Sequence, residues 1–580
     1  MAPVLQKYSW ILALTTIAFI FSSASNGAND VANSYATSVA ARTLKMWQAG
    51  ILACFTEFLG AVALGSKVTS TIKSGVFGPD KFAPAPATFM LVMGCAEVGS
   101  ATFLTIATFY GMPVSTTQTV VGALAGAGIA AQTPLKWAWS SGSLSQIAAS
   151  WAIAPLIAAG ISAALFLTVK YAVLERKDPL KWGLRLIPWY LAFTAGMLAL
   201  FILDELPNAP SFEEMGAGKV SGIILGVSVG VLAISYIFFV PYFHRRLIKN
   251  DARMRVWHIP LGPLLYRENP PVYWPGKGDM VVTDYYAKSS VDTTDNDMEK
   301  ADLKKAQDNS TIINPKDTAG SEHGSSSAVE ANSNDGLHAR NPQSALAAHV
   351  IVAKPEPEER WLHPVKHLPF YSPKKIGNWA KYLFLQGVAR DVVTQKNLGA
   401  VHARAIVYDN KTEHLWTYAQ VASAMMMSIA HGSNDVANAV GPWVASYNTY
   451  ESGEVTSKAD TPIWILVIAG LLLGIGFWIY GFNVMRSLGN KITQVSPTRG
   501  FAMELGAAIT VLLASRLGLP VSTTQCLTGA TIGVALCNFD IRAVNWKQIA
   551  FIFSSWIITL PSAGLIAGLL MVMALNTPHF

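Results

Sequence analysis

The chain has 580 residues, of which 51% are hydrophobic and 14% charged, with a formal net charge of +7 and a mean hydropathy of +0.34. A soluble domain carries about 25% charged residues, and here the charges gather in a few loops, so the composition excludes an ordinary soluble protein and points to a chain that crosses a membrane many times. The basic surplus does not imply nucleic acid, because it sits in short clusters at the ends of apolar runs, where orientation in a bilayer accounts for it.

The first apolar run, Trp10 to Ser25, resembles a secretory signal, with Ser23-Ala24-Ser25 as a small-residue cleavage site. A repeat argues against that reading. The run leads into Asn26-Gly27-Ala28-Asn29-Asp30-Val31-Ala32-Asn33, and the pattern returns as His431-Gly432-Ser433-Asn434-Asp435-Val436-Ala437-Asn438. The second copy follows the run Tyr418 to Ala430, deep in the chain, where no signal can lie. The first run is therefore expected to be a membrane helix that continues to about Val39.

Further apolar segments span roughly 47–65, 88–110, 115–131, 145–170, 187–205 and 218–243, and then 416–445, 462–484, 500–516, 520–537 and 545–575. Most approach the ~20 residues that a helical span needs. The shorter ones adjoin a second duplicated motif, Gly111-Met112-Pro113-Val114-Ser115-Thr116-Thr117-Gln118 and Gly518-Leu519-Pro520-Val521-Ser522-Thr523-Thr524-Gln525. Each proline ends the preceding helix. Short paired segments joined at Gly and Pro, at matching places in both halves, predict re-entrant hairpins. The Asn-Asp copies lie 405 residues apart (Asn29 to Asn434), and the Ser-Thr-Thr copies 407 (Ser115 to Ser522). Glu97 and Glu504 are also 407 apart.

The predicted architecture is an all-α membrane protein with about 12 transmembrane segments in two inverted-topology repeats. The first half covers 1–243, a hydrophilic loop 244–414, and the second half 415–580. Basic residues in 172–187, after 243 and in 485–499, against the acidic loop 204–217, put the long loop in the cytoplasm and both termini outside. Lys67, Lys73 and Lys81 fit that orientation less well. An odd number of crossings separates the two copies, which is what inverts them. Residues 286–345 are too polar to offset the entropy of ordering and are expected to be disordered. The stretch 361–415 holds enough Trp, Leu and Phe for helices lying at the membrane surface. Cys54, Cys95, Cys526 and Cys537 show no metal-ligand or redox spacing and read as packing residues.

Asp30 and Asp435 are the first candidates for chemistry. A carboxylate at membrane depth costs about 2.5–3.5 kcal/mol on insertion scales and needs a partner. Asn29 and Asn33, like Asn434 and Asn438, flank it with amide oxygens, the ligand type that a hard cation such as sodium takes. The alternative is a capped helix break, with these side chains bonded to their own backbone.

The two Ser-Thr-Thr turns come next. Ser115 and Ser522 are placed to cap new helices. The first free N–H groups, the positive dipole end and three hydroxyls in each copy, Ser115, Thr116 and Thr117 and then Ser522, Thr523 and Thr524, form an anion cradle. The alternative is an ordinary cap followed by hydroxyls bonded back along the helix. Neither motif contains Arg or Lys, so an anion there needs a bound cation, which couples the two motifs. Glu57, Glu97 and Glu504 are isolated carboxylates in apolar runs, readable as cation ligands, proton carriers or members of internal networks. His431, standing where the first copy has Asn26, reads as a hydrogen-bonded structural residue. Lys67 and Lys491 read as interfacial anchors.

At these motifs the sequence resembles the inorganic phosphate transporter (PiT) family of sodium-coupled phosphate symporters, and within it the fungal high-affinity permeases. The resemblance covers nearly all of the chain outside the hydrophilic loop. It implies phosphate held by Ser115, Thr116, Thr117, Ser522, Thr523, Thr524, Asp30 and Asp435. It implies sodium as a co-transported ion held around Asn29, Asp30, Asn33, Asn434, Asp435 and Asn438. Glu57 and Glu504 fall where relatives have glutamates important for transport, and Glu97 joins them as a coupling candidate. The expected protein is thus not an enzyme and has no cofactor. It is a plasma-membrane carrier in the lipid bilayer that imports inorganic phosphate by alternating access, and a homodimer is compatible with this. Gln118 and Gln525 stand where many relatives have His, and Ser433 replaces the usual Ala. The rival readings are a proton-coupled carrier of phosphate or another oxyanion such as sulfate, a passive anion channel, and a phosphate-sensing receptor. No nucleophile–base pair supports a hydrolase.

Overall fold

The structure, a computed structural model, describes residues 3–65, 76–139, 143–205, 212–276, 282–287, 351, 353–395, 398–455, 461–517, 519 and 521–577. Lys67, Lys73, Gly518, Pro520 and the 286–345 segment beyond Ala287 lie outside them. Among the described residues the chain forms helices and turns and no strand. Eight helical stretches among the described residues are long and apolar enough to cross a membrane.

α1 (Ser9–Asn26) passes through one π-helical turn, Gly27–Val31, into α2 (Ala32–Ala40). There follow α3 (Met46–Leu64), α4 (Pro86–Phe109), α5 (Thr116–Ala130), α6 (Leu144–Val169), α7 (Pro179–Glu205) and α8 (Ala217–Ile234). After the hydrophilic region come α9 (Pro373–Ala389), α10 (Asn410–Leu415), α11 (Thr417–Ser452), α12 (Ile463–Tyr480) and α13 (Phe482–Leu488). The chain ends with α14 (Pro497–Arg516), α15 (Thr523–Leu536) and α16 (Trp546–Asn576). The apolar segments read from sequence agree with these bounds except where polar turns extend a helix. α7 starts at Pro179 and α14 at Pro497, because proline suits the first helical turn, where no backbone donor is needed. α11 runs on to Ser452, where Gly453, with φ +73°, ends it in the left-handed conformation.

α5 and α15 have 15 and 14 residues. At 1.5 Å per residue each falls short of the roughly 30 Å hydrocarbon core. Both start at a sharp turn. Gly111, with φ +65°, follows α4, and the Met112 N–H donates to the Ala107 carbonyl at 2.9 Å. The same bond closes α14, from the Leu519 N–H to the Ala514 carbonyl at 2.9 Å. Ser115 and Ser522 then cap the new helices, accepting from the N–H groups of Gln118 (3.2 Å) and Gln525 (3.3 Å).

Each short helix lies in a groove of small residues. Gly122 and Gly126 of α5 meet the backbone of Leu560 and Gly564 in α16. Gly529 and Gly533 of α15, at the matching repeat positions, meet the backbone of Pro155 and Ala159 in α6. A Cβ on Gly126 would stand 2.6 Å from Gly564 Cα, so only glycine permits the approach. Small residues at helix contacts are how bundles gain van der Waals packing where lipid supplies no hydrophobic drive. The interior is correspondingly rich in buried hydroxyls and amides, while α6, α8 and α16 turn residues such as Leu156, Leu225 and Leu565 outward.

Candidate functional site

Both Asn-Asp motifs lie inside continuous helix, so neither is a capped break. The first sits on the π turn between α1 and α2, where an extra residue per turn re-aims side chains. The second sits in unbroken α11. All six Asn and Asp side chains are buried, and they reach other helices rather than their own backbone.

Asp30 Oδ2 accepts hydrogen bonds from the Thr116 hydroxyl (2.7 Å) and the Thr116 N–H (3.3 Å) at the start of α5. Its Oδ1 accepts from the Thr524 hydroxyl of α15 at 2.7 Å and from Asn33 Nδ2 at 3.2 Å. Asp435 repeats the first of these contacts, accepting from the Thr523 hydroxyl at 2.9 Å. The asparagines then cross. Asn33 Nδ2 donates to Thr524 at 2.7 Å, and Asn438 Nδ2 donates to Thr117 at 3.1 Å and Thr116 at 2.9 Å. Each aspartate thus holds the first threonine of its own half, and each crossing asparagine reaches the second threonine of the other half. Asn29 and Asn434 anchor the turns ahead of the caps. Asn29 donates to the Met112 carbonyl (3.0 Å) and Thr108 (3.1 Å) and accepts from the Val114 N–H (3.1 Å). Asn434 donates to the Val521 carbonyl at 3.1 Å and to Asp435 Oδ1 at 2.9 Å. Asn26 ties the two copies together, donating to the Asp435 carbonyl at 2.8 Å.

Ser115 and Ser522 each accept a capping hydrogen bond through oxygen, which leaves their O–H groups, with those of the four threonines, as the hydroxyls of the site. Several buried oxygens have no protein partner: Asn33 Oδ1, Gln118 Oε1 and Gln525 Oε1. Uncommitted amide oxygens beside carboxylates suit a hard cation. The ion pairs of Lys and Arg among the described residues lie away from these motifs. None of these pairs brings a Lys or Arg to the site, and the basic side chain beside the two aspartates is His431.

Of two contacts at His431, the one to Asp435 follows the i,i+4 spacing of a helix and the one to Glu57 was not legible from sequence. His431 Nδ1 lies 2.7 Å from Glu57 Oε2, and its Nε2 lies 2.9 Å from Asp435 Oδ2. One carboxylate oxygen each of Asp30 and Asp435 and one His431 nitrogen fall within 4.8 Å of one another. His431 belongs to the site rather than standing apart as a lone structural histidine. Behind it, Glu57 Oε1 accepts from Ser428 at 2.5 Å, Ser428 meets Thr56 at 2.7 Å, and Thr56 meets the Tyr35 hydroxyl at 2.8 Å. The sequence places Glu57 and His431 374 positions apart, and no periodicity pairs them.

The other two glutamates differ sharply. Glu504 accepts from Thr37 (2.5 Å), Ser38 (2.6 Å), Ser423 (2.7 Å) and Gln420 (3.5 Å). Glu97, its counterpart by offset, is equally buried, yet both of its oxygens lack a protein hydrogen bond. Ser433 donates to the Leu64 carbonyl at 3.2 Å.

Residues 26–567 match the model of the phosphate transporter family. The chain is 38% identical to the phosphate-repressible phosphate permease pho-4 of Neurospora crassa, across 100% of this chain and 99% of that one. It is 28% identical to the sodium-dependent phosphate transporter 1-B of Danio rerio, across 98% and 96%. It is 27% identical to the sodium-dependent phosphate transporter 1 of Rattus norvegicus, across 99% and 96%. A solved structure of a sodium-dependent phosphate transporter shares the fold, with a TM-score of 0.63 and 23% identity over 98% of this chain and all of that one.

Proposed function

The chain belongs to the phosphate transporter family, and from that premise we propose that it is a secondary active symporter importing inorganic phosphate, coupled to sodium, across the plasma membrane. The observation that carries the reading is Asp30 hydrogen-bonded to threonines of both short helices, Thr116 and Thr524. α5 and α15 are the inner arms of two re-entrant hairpins, and the halves 1–243 and 415–580 are inverted repeats that rock about their meeting point. The loop 244–414 is cytoplasmic and the termini are outside.

Thr116, Thr523 and Thr524 now donate to the two aspartates, while Thr117 accepts from Asn438. Sodium arriving at Asp30 or Asp435, with Asn29, Asn33, Asn434 and Asn438 supplying oxygens, neutralises a carboxylate and frees those hydroxyls. Thr116, Thr117, Thr523 and Thr524, with the first N–H groups of α5 and α15, can then turn to a phosphate oxygen. The cation therefore binds before the anion, and its charge lowers the cost of stripping water from phosphate. The site binds and releases; it breaks no bond.

One observation favours a second reading. The chain of titratable and hydroxyl groups from Tyr35 through Thr56, Ser428, Glu57 and His431 to Asp435 is a route for protons into the site. Phosphate uptake into proteoliposomes under an imposed sodium gradient at equal pH, or a proton gradient without sodium, separates the two. Uptake driven only by protons would overturn sodium coupling.

A further inference from the structure

We propose that α9 is an in-plane membrane anchor that binds the acidic headgroups of the leaflet it touches. The inference rests on the chain spanning a bilayer and not on what it carries.

α9 has three faces. Asn378 donates to the Trp361 carbonyl at 3.0 Å, and Tyr382 donates to Glu358 at 3.0 Å, so the side bearing residues 378 and 382 is packed on the segment that precedes it. A different side carries Ile376, Trp379, Leu383 and Phe384 at helical spacing, 46–74% exposed. A helix that spends its packed side on polar contacts and leaves an aromatic stripe uncovered is built inside out for water. In the headgroup region of a bilayer the same stripe is buried.

The depth of the helix is set by its neighbours. Trp478, near the end of α12, donates its indole N–H to the Phe384 carbonyl at 2.6 Å, and Gly387 lies against the Trp478 and Ile479 backbone. α12 is one of the apolar spans, and a Trp at its end marks the membrane–water boundary. The stripe therefore begins at the level where α12 leaves the hydrocarbon. Arg390, just past α9, fixes it there. It donates to Glu356 at 2.7 Å and sits 4.5 Å from the Phe482 ring of α13.

The charge around the stripe is one-sided. α9 contains Lys374, Lys375 and Lys381 and no acidic residue. Lys374 and Lys381, seven residues apart on one edge, are exposed. Lys375 is turned to the Leu368 carbonyl at 2.7 Å. The nearby carboxylates of Glu356 and Glu358 are engaged by Arg390, Arg486 and Tyr382. Two ammonium groups on the edge of an apolar stripe at the bilayer boundary match acidic lipid headgroups.

The test uses the full-length chain with Leu383→Cys, spin-labelled and reconstituted into vesicles of phosphatidylcholine alone or with phosphatidylserine. The signal of the same chain without the new cysteine is subtracted. Expected is a label that collides with oxygen several-fold more than with a water-soluble nickel chelate. The contrast should be larger in acidic vesicles, and that gain should be lost in Lys374→Gln/Lys381→Gln. A label open to nickel would overturn the anchor. Protection from both reagents would mean that protein covers the stripe and would also overturn it. Equal depth in both lipids would remove the headgroup assignment. Phosphate uptake by the same vesicles reads the transport proposal separately.

Discussion

Asp30 and Thr524 are 494 residues apart in sequence and 2.7 Å apart in space, and their hydrogen bond is where the two halves of the chain meet. Thr524 also accepts from Asn33 at 2.7 Å, so one hydroxyl serves both Asp30 and Asn33 of the first motif. Removing it leaves a buried carboxylate and a buried amide short of a partner. A hydrogen bond to a charged group contributes about 1.5–3 kcal/mol, a factor of roughly 10–150 in an equilibrium constant. Thr524→Ala should therefore lower phosphate uptake by at least about tenfold while the protein still reaches the membrane. Radiolabelled uptake beside surface labelling checks it, and normal uptake would count against the site.

Asp30→Asn should abolish uptake and Asp435→Asn should do the same, because each carboxylate accepts from threonine hydroxyls and, in the proposed mechanism, also takes the cation. The more telling measurement is order. In the wild-type chain, sodium should raise the apparent affinity for phosphate. In either variant the affinity, where binding can still be measured, should no longer respond to sodium. Phosphate binding by calorimetry at several sodium concentrations reads this directly.

His431→Asn puts the residue of the first motif copy into the second, at the position of Asn26. It removes the bridge between Glu57 and Asp435, which His431 touches at 2.7 and 2.9 Å. If protons share in coupling, the variant should keep sodium-driven uptake but lose its response to an imposed pH gradient. An unchanged response in proteoliposomes would remove the proton route.

How much of this was legible in sequence differs from residue to residue, for physical reasons. The caps at Ser115 and Ser522, the turn at Gly111 and the apolar helices follow from local rules of backbone and periodicity; the caps and the turn fall where expected, while α7 starts eight residues earlier than its apolar run and α11 ends seven later. The crossing of Asn33 to Thr524 and of Asn438 to Thr117 depends on how two distant halves dock. Repetition hints at such a crossing and does not specify its partners. Glu97 and Glu504 look alike in sequence, yet one has no protein partner and the other has four. That contrast comes from neighbouring helices, and local pattern carries no trace of it.

The contrast predicts opposite responses to the same change. Glu504→Gln replaces one carboxylate oxygen by an NH₂ that faces either Ser423 or the Thr37, Ser38 and Gln420 donors, so at least one buried donor loses its acceptor. Each unsatisfied group costs about 1–3 kcal/mol, and the melting temperature in detergent should fall by several degrees. Glu97→Gln breaks no protein hydrogen bond and should melt at or above the wild-type temperature. Any loss of uptake in that variant would then be a direct effect on transport.

His414, on α10 ahead of the long helix α11, gives a pH-dependent stability. Burial, with the Arg246 charge nearby, pushes it down from 6.5 to about 3. Its Nδ1 is 2.7 Å from the Tyr285 hydroxyl, so the neutral ring accepts a hydrogen bond. A folded-state value below the unfolded one means that the unfolded chain binds the extra proton first as pH falls. Stability is therefore lost on acidification from about 6.5 down towards 3 and is constant above that window. Between pH 7.5 and 5.5 the loss from this one group is about 1 kcal/mol. His414→Gln keeps an acceptor for Tyr285 and removes the titration. Its melting temperature should fall less than that of the wild-type chain over the same interval, and parallel curves would show that His414 is not buried in its neutral form.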